Sequence, residues 1–362
     1  MKYMIEKQAH KPAYLQLYVQ LRRDIVEGLY PYNTKLPSKR TIAAETGLST
    51  VTVEHAYALL CDEGYIEARQ RSGYFVIFRG EDGFASFSNR EISHMASHNA
   101  GSAPEFPFSV LTKTMRTVIS EFGEDILNRS PNSGCPELQQ AISRYLARSR
   151  GINAEPEQIV IGSGSEYLYG LAVQLLGRER IFAIEWPSYK KIEQIYAASG
   201  VEFERLPLGM DGIESAALWE SRAQILHISP YRSFPSGVTA SASKRHEYMR
   251  WAAEGGRYII EDDFESEFSV SKKPEETLFA HSTAENVIYM NSFSKTVSPS
   301  LRVGYMVLPK HLVPRFEEKL GFYACTVPTY IQLVLAQLIS NGDFERHINR
   351  VRRKKRKEKS KT

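Results

Sequence analysis

Between residues 101 and 362, short apolar runs alternate with amphipathic stretches, a pattern typical of strands alternating with helices. The runs predict strands of a mainly parallel sheet at 159–161, 181–184, 224–228, 258–261 and 287–290, with 303–307 as a further candidate. Pro136 to Ala147 has the spacing of an amphipathic helix, and a second helical pattern begins at Glu166. This part of the chain is therefore expected to be an α/β domain whose sheet lies between helices.

The N-terminal part of the chain has a different pattern. Apolar positions at helical spacing predict a helix over residues 12–27. Two further helices follow, with Ser38 and Ser49 placed to cap them and Gly47 placed to make the turn between them. Residues 63–78 then read as a β-hairpin. Helices of this spacing followed by a hairpin predict a winged helix-turn-helix, which is a DNA-binding architecture.

A polar, glycine-punctuated stretch without sustained periodicity separates the two patterns. The sequence thus predicts a DNA-binding domain over 1–78, a linker over 79–100 and an α/β domain over 101–362.

Composition excludes several classes of protein. The chain has 362 residues, of which 42% are hydrophobic, and none of its apolar runs approaches the length of a membrane span. The N-terminus lacks an apolar segment, so we expect a cytoplasmic protein. Cys61, Cys135 and Cys325 are scattered without metal-ligand spacing and are expected to be reduced thiols, and no metal site is predicted.

The net charge of +4 is concentrated at the C-terminus. Residues 350–362 carry nine basic side chains and one acidic side chain, so the remainder of the chain carries −4. We interpret this tail as a solvated, frayed chain end; the alternative is nonspecific binding of nucleic acid.

Three motifs in the α/β domain suggest one chemistry. The stretch NSFSKTVSPSLRVGY, residues 291–305, places Lys295 between serines, with Arg302 following. A lysine amine can condense with an aldehyde, and serine with arginine can hold a phosphate dianion. Upstream, the apolar run before Asp262 ends in carboxylates, which can pair with a protonated pyridine nitrogen. Still earlier, the glycine-rich turn at 162–165 precedes a helix, as in phosphate-binding loops. In this order the motifs favour pyridoxal 5′-phosphate, although the lysine stretch by itself also fits a polar surface turn.

The strings GSGSEYL, EWPSY, SPYRSFPSG, IIEDDFESEF and SFSKTVSPSLRVGY resemble the fold-type I aminotransferases. Residues 12–78 are similar to the GntR-type DNA-binding domain, and the whole chain resembles the MocR/GabR-type regulators, which join these two parts. The resemblance implies a winged helix-turn-helix followed by the large domain of a fold-type I aminotransferase, with the small C-terminal domain largely missing.

The resemblance also implies roles for individual residues. Lys295 would form a Schiff base with pyridoxal 5′-phosphate, and Asp262 would pair with the pyridine nitrogen, although Asp263 is adjacent and remains an alternative. Tyr189 would stack on the cofactor ring; the alternative is a half-buried core tyrosine. The phosphate would be held by Ser163, Gly164, Ser165, Ser292 and Arg302, with assistance from Ser294.

For the DNA-binding domain, Thr50-Val51 stands where related recognition helices often carry Arg-Asn, and Arg71-Ser72-Gly73 stands where the wing usually reads Gly-Ser-Gly. A solvated helix face is the alternative for Thr52 and His55. The expected DNA-binding residues are Lys39, Arg40, Ser49, Thr50, Thr52, His55, Arg69 and Arg71.

Three departures from the aminotransferase pattern bear on activity. Phe264 replaces a tyrosine that hydrogen-bonds the cofactor. Where related proteins usually have a glutamine or asparagine before a Pro-Thr-Gly turn, this chain reads Arg232-Ser233-Phe234-Pro235-Ser236-Gly237. The chain also ends before the arginine that normally clamps a substrate carboxylate. We therefore expect a homodimeric regulator that binds operator DNA and senses a small amine or amino acid, with little or no turnover. The alternatives are an active aminotransferase with an accessory DNA-binding module, and a truncated product that folds poorly beyond the large domain.

Overall fold

The computed structural model describes residues 3–5, 11–69, 72–78, 106–264, 266–268 and 277–359. The predicted linker 79–100, Arg71 of the hairpin tip and the last residues of the chain lie outside these ranges. The chain divides into two compact units, residues 1–98 and 99–362.

The first unit consists of three helices and a hairpin. Their bounds are α1, Ala13–Val26; α2, Lys39–Thr46; α3, Thr50–Asp62; β1, Ile66–Arg69; and β2, Gly73–Val76. Ser38 and Ser49 cap α2 and α3 as predicted, since each side chain accepts a hydrogen bond from the backbone N–H three residues later. Gly47 ends α2 at a φ of +69°, a backbone conformation that glycine adopts without strain. These features match the predicted winged helix-turn-helix.

The second unit contains an eight-stranded sheet in the order β3-β10-β9-β8-β7-β4-β5-β6. The strands are β3, Ile159–Gly162; β4, Phe182–Trp186; β5, Phe203–Gly209; β6, Gly212–Ile213; β7, Ile225–Ile228; β8, Tyr258–Asp262; β9, Val287–Ser292; and β10, Gly304–Val307. Neighbours from β5 through β4, β7 and β8 to β9 pair in parallel, whereas β10 runs antiparallel to both β3 and β9. The predicted mainly parallel sheet is confirmed.

Helices cover both faces of this sheet. They are α4, Phe108–Phe122; α5, Pro136–Arg150; α6, Ser165–Leu176; α7, Lys190–Ala198; α8, Ser215–Glu220; α9, Ala242–Glu254; α10, Leu278–His281; α11, Leu312–Leu320; α12, Thr329–Ser340; and α13, Asp343–Lys359. Strand residues alternate between the two faces. Ile159 and Ile161 pack with residues of α5 and α12, whereas Val160 packs with residues of α6 and α11.

Several predicted elements need correction. The chain after residue 328 forms two helices that Asn341 and Gly342 separate, with Gly342 at a φ of +78°. The tail, predicted to be a frayed end, is helical through residue 359, and Val351 within it is buried. Strand β5 was not predicted; its side chains are mostly half-exposed, so no continuous apolar run marks it.

Helix α5 extends three residues beyond the predicted end and finishes at Arg150. This extension matters because Arg150 is buried and reaches the end of β8. None of the helices within the described ranges is both long and apolar enough to cross a membrane.

Candidate functional site

A cavity of about 320 Å³ lies in the second unit, where the carboxyl ends of β4, β7, β8 and β9 meet the start of α6. Carboxyl ends of parallel strands are a common place for ligand sites in α/β folds. The lining of this cavity includes seven of the residues predicted to bind the cofactor: Ser165, Tyr189, Asp262, Ser292, Ser294, Lys295 and Arg302.

The two remaining predicted residues lie at the edge. Gly164 has a φ of +94°, and a Cβ added to it would lie 3.4 Å from Nη2 of Arg302. The backbone N–H of Ser163 donates to Oγ1 of Thr326 at 3.1 Å, and Ser163 is not part of the cavity lining.

Asp262 is the buried acid of the cavity. Tyr169 donates its hydroxyl hydrogen bond to Oδ2, and Nε2 of His227 lies 3.7 Å from the same oxygen. The other oxygen, Oδ1, is buried and has no hydrogen-bond partner among the described residues. A buried carboxylate oxygen without a partner is costly, so the cavity offers an acceptor that suits a ligand N–H. Burial, together with the Asp262 charge, raises the pKa of Tyr169 well above its usual value and keeps it a donor.

The neighbouring Asp263 lies in a different environment. Its side chain is paired with Arg150, and Tyr289 donates to it at 2.7 Å. Arg150 and Asp263 have side chains that are only 5% and 1% exposed. Because successive strand residues face opposite sides of a sheet, Asp262 and not Asp263 lines the cavity.

Aromatic side chains line the cavity together with Lys295. Its Nζ lies 4.8 Å from the centroid of the Phe264 ring. Tyr189, half-buried at the start of α7, makes an edge contact with Phe234, with ring centroids 6.1 Å apart. Both phenylalanines line the cavity, so this wall is apolar where hydroxyl or amide groups were expected from related sequences.

The opposite end of the cavity is basic. Arg302 follows a short 3-10 turn, Pro299–Leu301, and has a φ of +51°. Its Nη2 lies 3.1 Å from Oε2 of Glu166, the second residue of α6. Backbone N–H groups in the first turn of a helix lack intrahelical partners and attract anions, so this end can bind a phosphate group.

Several lining residues were not predicted from the sequence. They are Glu166, Tyr169, Ile184, Glu185, Ser188, Ile192, His227, Ser229, Phe234 and Phe264. Tyr169 follows Ser165 by one helical turn, so periodicity could have placed it on the same face. His227 lies near the carboxyl end of a predicted strand, which is also a usable signal. Burial raises the pKa of Glu185 to about 7, and Ser233 donates to it at 2.6 Å.

In the first unit, the predicted DNA-binding residues fall on α2, α3 and the hairpin. Arg40, Ser49, Thr50, His55 and Arg69 are exposed, and Lys39 and Thr52 are half-exposed. Lys39 pairs with Glu54 of α3, with Nζ 2.6 Å from Oε1. Arg69 pairs with Glu67 at 2.6 Å, and its guanidinium lies over the Phe75 ring. Ser49 and Thr52 contact each other through the helix cap.

Comparison with protein families gives two matches. Residues 13–76 match the gntR family of bacterial regulatory proteins, and residues 102–362 match the aminotransferase class I and II family. Among curated proteins, the chain is 33% identical to the uncharacterized HTH-type transcriptional regulator YdeL of Bacillus subtilis, covering 96% of this chain and 78% of that protein. It is 28% identical to the probable rhizopine catabolism regulatory protein MocR of Rhizobium meliloti, covering 97% and 76%.

Among solved structures, the chain is similar to LysN, the α-aminoadipate aminotransferase of Thermus thermophilus, which was crystallised with N-(5′-phosphopyridoxyl)-L-leucine. The TM-score is 0.62 with 28% identity, and the match covers 70% of this chain and 66% of that chain. The chain thus spans slightly less than two thirds of this solved aminotransferase.

Proposed function

The chain belongs to the HTH-type transcriptional regulators that join a GntR-family domain to an aminotransferase class I and II domain, and from this premise we propose that its cavity binds pyridoxal 5′-phosphate and that its first domain binds operator DNA. Cofactor occupancy would then shift the equilibrium between DNA-binding arrangements of a homodimer. A small amine or amino acid that reacts with the cofactor would be the effector.

The observation that carries the cofactor proposal is the unpartnered, buried Oδ1 of Asp262 in the same cavity as Lys295 and Arg302. A protonated pyridine nitrogen would supply the missing donor, and a charged donor is the strong partner for a carboxylate. The Lys295 amine can condense with an aldehyde and release one water. When bound, pyridoxal phosphate supplies an electron sink and a reactive imine carbon.

The remaining lining residues fit the other parts of the cofactor. Tyr189 would lie against one face of the ring. The phosphate would be held by Arg302, by the hydroxyls of Ser165, Ser292 and Ser294, and by the first turn of α6 next to Ser163 and Gly164.

DNA binding is proposed through α2, α3 and the hairpin. Exposed Arg40 and half-exposed Lys39 suit phosphate contacts, whereas Thr50, Thr52 and His55 on α3 suit base edges. Dimeric helix-turn-helix proteins read two half-sites, so we expect an operator with two copies of one motif. Ser49 as the cap of α3, with Arg69 and Arg71 at the hairpin, would complete the interface.

The cofactor arm of the proposal is tested by borohydride trapping of the full chain with pyridoxal 5′-phosphate, followed by peptide mapping. The pyridoxyl group should map to Lys295 and be absent from Lys295→Ala. Lys319→Ala, on the exposed side of α11, is the matched control and should be trapped normally. Mapping of the pyridoxyl group to another lysine would overturn the assignment.

The DNA arm is tested by binding of the full chain to DNA fragments from the region upstream of its own gene. We expect saturable binding to a fragment with two half-sites, and a change in affinity when pyridoxal 5′-phosphate is added. Equal, salt-sensitive binding to every fragment would contradict the operator proposal.

Transamination is the second candidate function, because the chain is similar to a solved aminotransferase. Against it stands Phe264, which lies beside Lys295 without a hydroxyl group to hydrogen-bond the cofactor. Assaying keto-acid production from common amino acids with 2-oxoglutarate separates the two candidates: a sensor gives a spectral change with amines and no multiple turnovers.

A further inference from the structure

The end of the cavity that is proposed to bind the phosphate group already carries a carboxylate, that of Glu166. Glu166 lines the cavity and places Oε2 3.1 Å from Nη2 of Arg302. Its other oxygen, Oε1, is paired with Nζ of Lys191 on α7. The Glu166 side chain is 32% exposed, while Arg302 and Lys191 are about half exposed, so the three groups form a bridge at the cavity mouth.

Glu166 is charged at neutral pH. The hydrogen bond from Lys191 lowers the pKa of its carboxyl below the ordinary value, and the charge of Arg302 lowers it further. The arginine that a phosphate dianion requires is therefore paired with a carboxylate of the same chain. A guanidinium binds carboxylate and phosphate with the same fork of donors, so the two anions compete for one partner.

We propose that Glu166 sets the affinity of this cavity for phosphate-bearing ligands by competing with the phosphate group for Arg302. When a phosphate binds, Arg302 exchanges the carboxylate for phosphate oxygens, and Lys191 retains the carboxylate. This exchange weakens phosphate binding and makes it reversible, so that occupancy follows the concentration of free cofactor. The inference rests on the proposed cofactor site and adds a reason for that site to act as a sensor.

Alternative positions for the carboxylate are limited by the fold. Glu166 is in the first turn of α6, two residues after Gly164, so its backbone lies beside the proposed phosphate position. An ionised carboxylate near a phosphate dianion is repulsive, and Arg302 and Lys191, the cations paired with Glu166 among the described residues, can relieve this repulsion. Removing the charge at Glu166 should therefore act on phosphate and not on the aldehyde.

The test uses the full chain and the substitution Glu166→Gln, which preserves size and one acceptor oxygen while it removes the charge. The matched control is Glu193→Gln on α7, where the carboxylate pairs with Arg205 at 2.7 Å outside the cavity lining. Equilibrium titrations with pyridoxal 5′-phosphate, with pyridoxal and with inorganic phosphate separate the contributions of the phosphate group and the aldehyde. Thermal melts confirm that each variant is folded.

We expect Glu166→Gln to tighten binding of pyridoxal 5′-phosphate by roughly 1.5- to fivefold, the range for one partly exposed ion pair. Binding of pyridoxal, which lacks the phosphate, should be unchanged, and Glu193→Gln should behave as the wild type with all three probes. Unchanged or weaker binding of pyridoxal 5′-phosphate by Glu166→Gln, with cofactor still trapped on Lys295, would overturn this inference and leave the proposed function standing.

Thermal melts with inorganic phosphate test the competition between Glu166 and phosphate even without the cofactor. If the wild-type chain traps no pyridoxal 5′-phosphate at all, the proposed function fails. Stabilisation by inorganic phosphate in thermal melts should still be larger for Glu166→Gln than for the wild type and for Glu193→Gln. Equal stabilisation of the three proteins would overturn the competition between Glu166 and phosphate.

Discussion

Two ion pairs, one in each domain, lie in opposite environments. In the first domain, Lys39 and Glu54 form a pair whose side chains are 32% and 56% exposed. In the second domain, Arg150 and Asp263 form a pair that is almost completely buried. Exposed pairs contribute little to stability and exchange partners readily, whereas a buried charge that loses its partner is strongly destabilising. Lys39 can therefore exchange Glu54 for another anion, whereas Arg150 is held with Asp263 in a buried pair directly after β8.

Asp263→Ala is expected to have the largest effect. The substitution leaves the Arg150 guanidinium buried without its carboxylate, so we expect a loss of about 3–5 kcal/mol in the free energy of unfolding. Urea unfolding of the full chain measures this loss. A decrease no larger than that of an exposed acid, such as Asp125→Ala, would show that the buried pair does not hold the strand end.

Asp262→Ala tests the neighbouring acid, which faces the cavity. We expect weaker binding of pyridoxal 5′-phosphate by about 1.5–3 kcal/mol, the contribution of one charged hydrogen bond. Stability should change much less than in Asp263→Ala, because Asp262→Ala removes a hydrogen bond from Tyr169 but leaves the buried Arg150–Asp263 ion pair intact. Pyridoxal 5′-phosphate is titrated into Asp262→Ala and into Asp263→Ala under conditions where both variants are folded. Equal losses of affinity would mean that the two acids have the same role.

Glu185 tests how burial affects the pH dependence of stability. Burial raises the pKa of its carboxyl from 4.5 to about 7. Between these values the folded chain keeps the proton and the unfolded chain releases it, so stability falls as pH rises from about 4.5 to about 7. Glu185→Gln should remove on the order of 2 kcal/mol of that fall. Glu254→Gln, an exposed control, should keep the wild-type slope, and an unchanged slope in Glu185→Gln would contradict the assignment.

Glu54→Gln tests the exposed Lys39–Glu54 pair and should have the smallest effect. It releases Lys39 for DNA phosphate, so we expect nonspecific DNA affinity to rise several-fold, with the salt dependence increasing by roughly one phosphate contact. Glu45→Gln removes the same charge from α2 and is the matched control. Equal gains in both variants would indicate a general charge effect with no part for the Lys39–Glu54 pair.

Most of the architecture was predictable because it follows from local patterns. The alternation of apolar runs with amphipathic segments, the caps at Ser38 and Ser49, and six of the eight strands could be read from neighbouring residues. Strands β5 and β6 could not, since they lie at the sheet edge and lack continuous apolar runs. The order of the lysine, carboxylate and glycine-rich motifs also suggested one cavity, because each follows a strand of the same sheet.

What the sequence by itself determined is therefore the class of each element and the chemistry carried at the strand ends. Only the tertiary structure decided which of Asp262 and Asp263 faces the cavity, that Arg150 pairs with the other, and that Glu166 takes Arg302. Those partners are far apart along the chain, from 113 residues for Arg150 and Asp263 to 136 for Glu166 and Arg302. Local periodicity reflects the backbone geometry of a few residues, whereas such pairings depend on strand register and helix packing, which distant parts of the chain set together.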